Sequence, residues 1–260
     1  MNFVSQNTPT LQLMDLANSR HHSILIEGPQ GCGKTYLAKQ YAAMLNVSDF
    51  EVVKCSVDTI RDAIDETYKI KNDVVICLEN LDDGVLSASY TILKFLEEPL
   101  PNVYIVVTCR NLKKVPDTII SRSAVVSCGP PIDKDIEEFA SSRNKQKFQS
   151  LSDSSIWKSV RSFKDAEYVL SMNDEQIKYF SQLDKMMSFS DIVSNIIWKL
   201  GHYEDNTEIP VGLVMQYIIS KTNSKTVKRA AIRCMSDISL GRLAQHACLA
   251  RFVFEAKYVE

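Results

Sequence analysis

Eight residues, Gly28-Pro29-Gln30-Gly31-Cys32-Gly33-Lys34-Thr35, stand directly after the apolar run Ser23–Glu27 and directly before a helix-patterned stretch beginning at Thr35. The spacing is G-x-x-x-x-G-K-[ST], and its place between a strand and a helix turns a short pattern into a strong constraint on the fold. Glycines let such a loop turn so that successive backbone N–H groups point inward, and the start of the following helix adds its positive dipole end. A cradle of that kind holds phosphate groups. Lys34 would neutralise charge on the outer phosphates, and the Thr35 hydroxyl would ligate Mg²⁺. Gly28, Pro29, Gln30, Gly31, Cys32 and Gly33 supply the loop. Cys32 is read as a passenger side chain, an oxidisable thiol being the alternative.

The rest of the first half fits a parallel sheet. Strand-sized runs (Ser23–Glu27, Phe50–Ser56, Val74–Leu78, Val103–Thr108, Ala124–Ser127) alternate with the amphipathic stretches Thr35–Leu45, Asp58–Ile70 and Leu86–Leu96. That alternation predicts βαβ units and a doubly wound α/β domain. Gly129, Pro130 and Pro131 break regular structure, and an acidic amphipathic helix is expected from Asp133 or Asp135. Beyond them only helical patterns occur: Asp133–Ser142, Ser154–Val160, Lys164–Leu170, Glu175–Lys185, Phe189–Leu200, Val211–Thr222, Lys225–Ser236 and Leu240–Tyr258. The expected organisation is an α/β nucleotide-binding domain over residues 1–131, a small helical lid over 132–186 and a C-terminal helical, collar-like bundle over 187–260. Trp157, Trp198, Phe252 and Phe254 are expected in the cores of those helices rather than as base-stacking platforms.

Composition narrows the function. The 260 residues carry 30 Lys/Arg against 32 Asp/Glu, a net charge of −2, so no global positive field attracts nucleic acid. The charge is unevenly placed: Lys221–Glu260 holds eight basic and three acidic residues, +5, leaving −7 on the first 220. Lys225, Lys228, Arg229 and Arg233 fall at helical spacing and form a candidate nucleic-acid stripe, the alternative being a solvated helix face. The seven cysteines are odd in number and make no CxxC or Cys/His zinc spacing, which points to a reducing cytoplasm without structural zinc. Apolar runs such as Val74–Leu78 are far below the roughly 18–20 residues of a membrane span. Met1–Asn18 has neither the basic nor the apolar segment of a secretory leader, so none is expected.

A second strand must bring the carboxylate that holds Mg²⁺ and, in hydrolytic proteins, another that orients the attacking water. Val74–Leu78 leads into Glu79-Asn80-Leu81-Asp82, which puts Glu79 at the metal position and Asn80 where a water-activating glutamate would stand. Asn accepts and donates hydrogen bonds but cannot act as a general base. Nucleotide binding with slow hydrolysis is the expectation, unless Asp82 or a neighbouring subunit compensates; Glu79 acting as the base is the other reading.

Three further segments carry a family resemblance. Ser89–Pro99 (SYTILKFLEEP), Val103–Thr108 and Val115-Pro116-Asp117-Thr118-Ile119-Ile120-Ser121-Arg122-Ser123 resemble, in order, the helix, sensor-1 strand and SRC-type motif of sliding-clamp loader subunits, which are AAA+ ATPases. Val57-Asp58-Thr59-Ile60-Arg61 is similar to the segment those proteins carry after their second strand, so the resemblance runs from about Ser23 to Pro131. It implies a P-loop AAA+ sheet domain followed by all-α domains, ATP and Mg²⁺ as ligands, Thr108 as the sensor-1 residue, and Arg122 as an arginine finger reaching a neighbouring subunit's ATP. Lys164, in Arg161–Ala166, takes the sensor-2 position by that likeness, an ordinary helix-face lysine being the alternative. The implied catalytic set is Glu79, Asn80, Thr108 and Arg122. Departures are Ser123 as the third residue of the SRC-type motif, the altered acids after Leu78, the missing zinc module and an abbreviated C-terminal region. Such economy would suit a virus-encoded version acting in a host cytoplasm.

The implied function is a clamp-loader-like subunit that assembles into a homo- or hetero-oligomer on primed or double-stranded DNA, with a sliding clamp or another replication protein as partner and no membrane. Two alternatives stand beside it. One is a hydrolysis-deficient structural subunit whose Arg122 activates a partner, and the other is a different DNA-associated AAA+ motor or helicase loader.

Overall fold

The computed structural model describes residues 4–83, 86–183, 185, 211–239 and 245–257. They divide into two compact units, Met1–Asp135 with Ser162–Lys164, and Ile136–Arg161 with Asp165–Glu260. The first unit thus extends past the Gly129–Pro131 break to Asp135 and takes three residues from further along the chain. The expected division at 186/187 lies outside the described residues.

In the first unit the strands β1 (Ser23–Glu27), β2 (Asp49–Lys54), β3 (Val74–Glu79), β4 (Val103–Cys109) and β5 (Ala124–Ser127) form one parallel sheet in the order β2-β3-β4-β1-β5. Helices α1 (Asn7–Asn18), α2 (Lys34–Met44), α3 (Val57–Thr67), α4 (Leu86–Glu97) and α5 (Asp117–Ile120) accompany it. β1 lies between β4 and β5, with Ile26 opposite Thr108 on one side and Val126 on the other.

Side chains alternate across a strand, so a sheet covered on both faces needs apolar residues at consecutive positions. Ile24, Ile26, Val75, Cys77, Tyr104 and Val106 enter one buried cluster with Leu13, Leu37 and Tyr41 of α1 and α2. Their neighbours Leu25, Val74, Ile76, Leu78, Ile105 and Val107 enter the other, with Ile60, Ile92, Phe95 and Ile119 of α3, α4 and α5. Each such fully buried aliphatic side chain contributes roughly 1.5–3 kcal/mol. The two faces follow from the strand order. From β1 the chain must cross to β2 at one edge and then return stepwise through β3 and β4, and right-handed crossovers in opposite directions place their helices on opposite faces.

The strands agree closely with the runs read from the sequence. β2 stops at Lys54 because Ser56 is the N-cap of α3: its hydroxyl accepts the Thr59 N–H at 3.2 Å, while the Thr59 hydroxyl accepts from the Ser56 N–H at 3.3 Å. Helix α1 was not anticipated, yet its Leu13 is fully buried and Ala17 nearly so.

Among its described residues the second unit is helical. Helix α6 (Asp133–Leu151) leads in from the first unit, and α7 (Phe163–Ser171), α8 (Asp174–Leu183), α9 (Val211–Lys221), α10 (Lys225–Ser239) and α11 (Gln245–Lys257) follow. Asn144, at φ −155° and ψ 90°, interrupts α6. The expected helix Ser154–Val160 shrinks to a 3-10 turn at Trp157–Ser159. There the Ser154 hydroxyl donates to the Leu151 carbonyl at 2.5 Å and accepts the Trp157 N–H at 3.3 Å, a local arrangement that competes with helical bonding. Trp157 and Phe252 are buried, but Phe254 is 63% exposed and is not a core residue; Trp198 lies outside the described residues. No described helix is long and apolar enough to cross a membrane.

Leu13→Ala tests whether α1 belongs to the core. The expected loss is about 2–5 kcal/mol in a denaturant melt, against about 0.5 kcal/mol or less for Met14→Ala on the exposed side of the same helix.

Candidate nucleotide site

Strand β1 ends in a place with no room for a side chain. The Gly28 N–H donates to the Cys109 carbonyl at 3.1 Å, and a Cβ on Gly28 would lie 2.4 Å from the Cys128 carbonyl oxygen and 2.8 Å from Cys32 Sγ. The loop then turns through Gly31 at φ +74° and Gly33 at φ +97°, conformations that L side chains rarely adopt. Gly33 is also crowded. A Cβ there would be 2.4 Å from Gln6 Nε2, which donates to the Cys32 carbonyl at 2.8 Å. Helix α2 starts immediately, with the Leu37 N–H on the Gly33 carbonyl at 2.9 Å.

Lys34 is buried, and its ammonium folds back to donate to the Gly28 carbonyl at 2.8 Å and the Pro29 carbonyl at 3.0 Å. A buried cation whose hydrogen-bond partners among the described residues are peptide carbonyls of its own loop is suited to accept an anion. One residue on, the Thr35 hydroxyl donates to Glu79 Oε1 at 2.6 Å. The two groups assigned to the metal come from α2 and the end of β3, 44 positions apart. A hydroxyl beside a carboxylate is an all-oxygen donor pair of the kind Mg²⁺ takes, together with water and phosphate oxygens, so the residues fit the ion.

Asn80 has φ +53°, a conformation that Asn tolerates better than Glu does. Its N–H donates to the Thr108 hydroxyl at 3.0 Å, which ties the end of β3 to β4. Thr108 in turn donates to the Leu78 carbonyl at 3.4 Å and is 1% exposed. Asp82 is engaged by the turn after β4. Its two carboxylate oxygens accept the Arg110 and Asn111 N–H groups at 3.0 and 3.2 Å, which fixes the turn after β4. Burial also pushes the Cys77 and Cys109 thiols, within β3 and at the end of β4, up to about 12.

Arg122, just past α5, pairs with Glu97 Oε1 at 2.7 Å and donates to the Thr118 carbonyl at 2.9 Å. In the single chain it therefore caps α5 and is held by the first glutamate of the LEEP run. Ser123 has a partner of its own: its hydroxyl lies 2.8 Å from that of Ser23 at the start of β1. Lys164 is exposed, with its Cβ 3.1 Å from where a Gly31 Cβ would be; Ser162 Oγ is nearer, at 2.6 Å, and the Phe163 N–H donates to the Gly31 carbonyl at 3.1 Å. Sequence reading missed Gln6, Glu97, Ser162 and Phe163 as neighbours of this site. Glu97, Ser162 and Phe163 stood in segments already singled out for other residues; Gln6 did not.

The basic stripe is described within the second unit alone. Lys225, Lys228, Arg229 and Arg233 follow one another along α10, where Lys225, Arg229 and Arg233 are exposed and Lys228 is half-buried. Arg233 pairs with Glu255 at 3.1 Å, and Arg251 bridges Glu255 at 2.9 Å and Asp237 at 3.3 Å. Part of the excess positive charge is thus neutralised between α10 and α11.

Residues 48–131 match the family described as DNA polymerase III, delta subunit. Among solved structures, a DNA polymerase III gamma subunit-related protein from Thermotoga maritima is 16% identical, with a TM-score of 0.55, over 95% of this chain and 99% of that one. A RuvB mutant of the same organism is 12% identical, with a TM-score of 0.48, over 98% and 81%. No curated protein matches. The family match and the fold support the likeness to clamp-loader AAA+ proteins read from the sequence.

Gly31→Ala forces a left-handed conformation on a residue with a Cβ and drives that Cβ into Ser162. A loss of at least about 1–2 kcal/mol in a denaturant melt is expected. Gly129, around which a Cβ would meet nothing within 4 Å, is the control; Gly129→Ala leaves the melt nearly unchanged.

Proposed function

We propose that this AAA+-fold chain is an ATP-binding subunit of DNA replication machinery, clamp-loader-like, which assembles into an oligomer on DNA with ATP sites at subunit boundaries and hydrolyses ATP slowly. The observation that carries the reading is the Thr35 hydroxyl 2.6 Å from Glu79, beside the buried Lys34 in a glycine loop. Mg²⁺, when bound, would supply charge neutralisation at the phosphates, held by Thr35 and Glu79. Lys34 exchanges its loop carbonyls for phosphate oxygens, and the loop N–H groups orient them. Thr108, already linked to Asn80, couples the end of β3 to the occupied site.

Slow turnover follows from Asn80. Its amide can hydrogen-bond a water but cannot take its proton, and the Asp82 carboxylate is engaged by the turn after β4. Arg122 would stabilise charge on the phosphoryl group of a neighbouring subunit's ATP, which makes turnover depend on assembly. To do so it must leave Glu97. Lys164 is the sensor-2 candidate beside Gly31, and Lys225, Lys228, Arg229 and Arg233 are the candidate DNA phosphate contacts, with a sliding clamp or other replication protein as the further partner and the cytoplasm as the place of action.

The same two observations, Asn80 and the engaged Asp82, favour a second reading: a subunit that binds ATP without hydrolysing it and whose Arg122 serves a catalytic partner. ATP binding, turnover with and without primed DNA, and mass in solution separate the two. Lys34→Ala is expected to abolish ATP binding. Where the protein turns over alone, Arg122→Ala lowers the rate by about 1000-fold or more. Asn80→Glu raises it by roughly 100-fold, less the cost of a left-handed Glu. ATP binding with background turnover in both wild type and Asn80→Glu selects the structural subunit, and absence of ATP binding by wild type would refute both.

A further inference from the structure

The phosphate loop carries a cysteine that is not alone. Strand β5 runs parallel to β1 with Ser127 opposite Glu27, and the Cys128 N–H donates to the Glu27 carbonyl at 2.7 Å. The residue after β5, Cys128, therefore lies beside Gly28, the first residue of the loop. The loop then curls back over Gly28 and brings Cys32 to the same place. The position a Gly28 Cβ would take is 2.8 Å from Cys32 Sγ and 3.2 Å from Cys128 Cβ. The Cys128 thiol also donates to the Cys32 carbonyl oxygen at 3.6 Å. Two thiols 96 positions apart in the chain thus meet against a glycine that leaves room for both.

We propose that Cys32 and Cys128 form a reversible disulfide that closes the phosphate loop, so that a peroxide oxidant switches off nucleotide binding. The inference about binding rests on the nucleotide reading of the loop; the bond itself does not. Cys77 and Cys109 are packed in and beside strands and held protonated by burial, as is Cys234 of α10. Cys32 is shifted the other way. The hydrogen bond from Cys128 stabilises its thiolate, and the Lys34 charge adds to that, while Cys128 is shifted upward as the donor. A sulfur whose thiolate is favoured, beside a second thiol, is the arrangement in which a sulfenic acid is resolved to a disulfide.

The chemistry balances with hydrogen peroxide as oxidant. The Cys32 thiolate attacks one peroxide oxygen, an S–O bond forms, the O–O bond breaks, and the departing hydroxide takes up a proton to give a sulfenic acid and water. The Cys128 sulfur, giving up its proton, then attacks the Cys32 sulfur; the S–S bond forms and the S–O bond breaks, and the leaving hydroxide carries that proton away as water. Two thiols lose two electrons, and one peroxide becomes two waters. Both sulfurs are nearly closed to solvent, 1% and 3% exposed by residue, so a small oxidant suits the site better than a bulky disulfide does.

Bond formation must draw Cys32 toward the end of β5, because a disulfide needs an S–S length of about 2.05 Å, shorter than any non-bonded contact between two thiols. Cys32 lies between the two positive-φ glycines, and its carbonyl holds Gln6. Moving it displaces the loop N–H groups that would face phosphate.

The test uses the full chain, reduced, treated with hydrogen peroxide and then returned to dithiothreitol. Peptide mapping by mass spectrometry is expected to find Cys32 linked to Cys128. ATP binding is expected to weaken by roughly tenfold or more on oxidation and to recover on reduction. Cys128→Ser, with Cys128→Ala as a second variant should the first not fold, is expected to bind ATP as the reduced wild type does and to lose the reversible response. Absence of the Cys32–Cys128 peptide overturns the site, and a linked protein that binds ATP unchanged overturns the switch. Failure of the reduced protein to bind ATP would count against the nucleotide reading and the switch, while the peptide map still decides the bond.

Discussion

The structure of the first unit hinges on β1 being held between β4 and β5. With neighbours on both sides, its residues face two buried layers, which is why Ser23–Glu27 reads as an almost unbroken apolar run. The same pairing gathers the ends of three strands at one point. Gly28 bonds Cys109 at the end of β4 and lies against Cys128 just after β5, so the chain can leave β1 only through a residue without a side chain. A larger residue there would drive into the Cys128 carbonyl and the Cys32 sulfur.

From that exit the chemistry follows with few free choices. The loop must turn sharply to start α2, and it does so through two glycines in conformations closed to other residues. The turn puts Lys34 and Thr35 at the front of the helix, over the ends of β3 and β4. Because β3 and β4 are adjacent and parallel, Glu79 and Thr108 arrive at the same edge, and Asn80 bridges them through its backbone. Asn80 is a residue able to adopt φ +53°, and in the proposed function it is also an amide where a carboxylate would act as base on the attacking water. The backbone conformation gives a structural reason for Asn at this position, apart from any selection against hydrolysis.

Much of this was legible because it is local. A strand, a glycine loop and a helix in immediate succession leave little ambiguity, and five strand-sized runs at suitable spacing imply a parallel sheet. The parts that sequence reading missed depend on contacts between distant residues. Helix α1 lacks a side-chain capping hydrogen bond at its N-terminus and begins with a polar turn, so its burial against α2 and β5 has no local signature. Gln6 meets Cys32 across 26 positions, and Cys128 meets it across 96. Phe254 fails differently: apolar character alone placed it in the core, whereas the face of α11 it occupies leaves it exposed.

Arg122 is held by its own chain at the surface. Its guanidinium fork caps α5 and pairs with Glu97. Exposed ion pairs of this kind are worth only about 0–1 kcal/mol. For the finger role proposed above, that weakness is what matters: the bond to Glu97 would set where the side chain rests, and a phosphate, with its fuller negative charge, would displace it from the same two-pronged donor. A buried pair would oppose such an exchange; the position of Glu97 on the surface, at the end of α4 and before Pro99, keeps the pair weak.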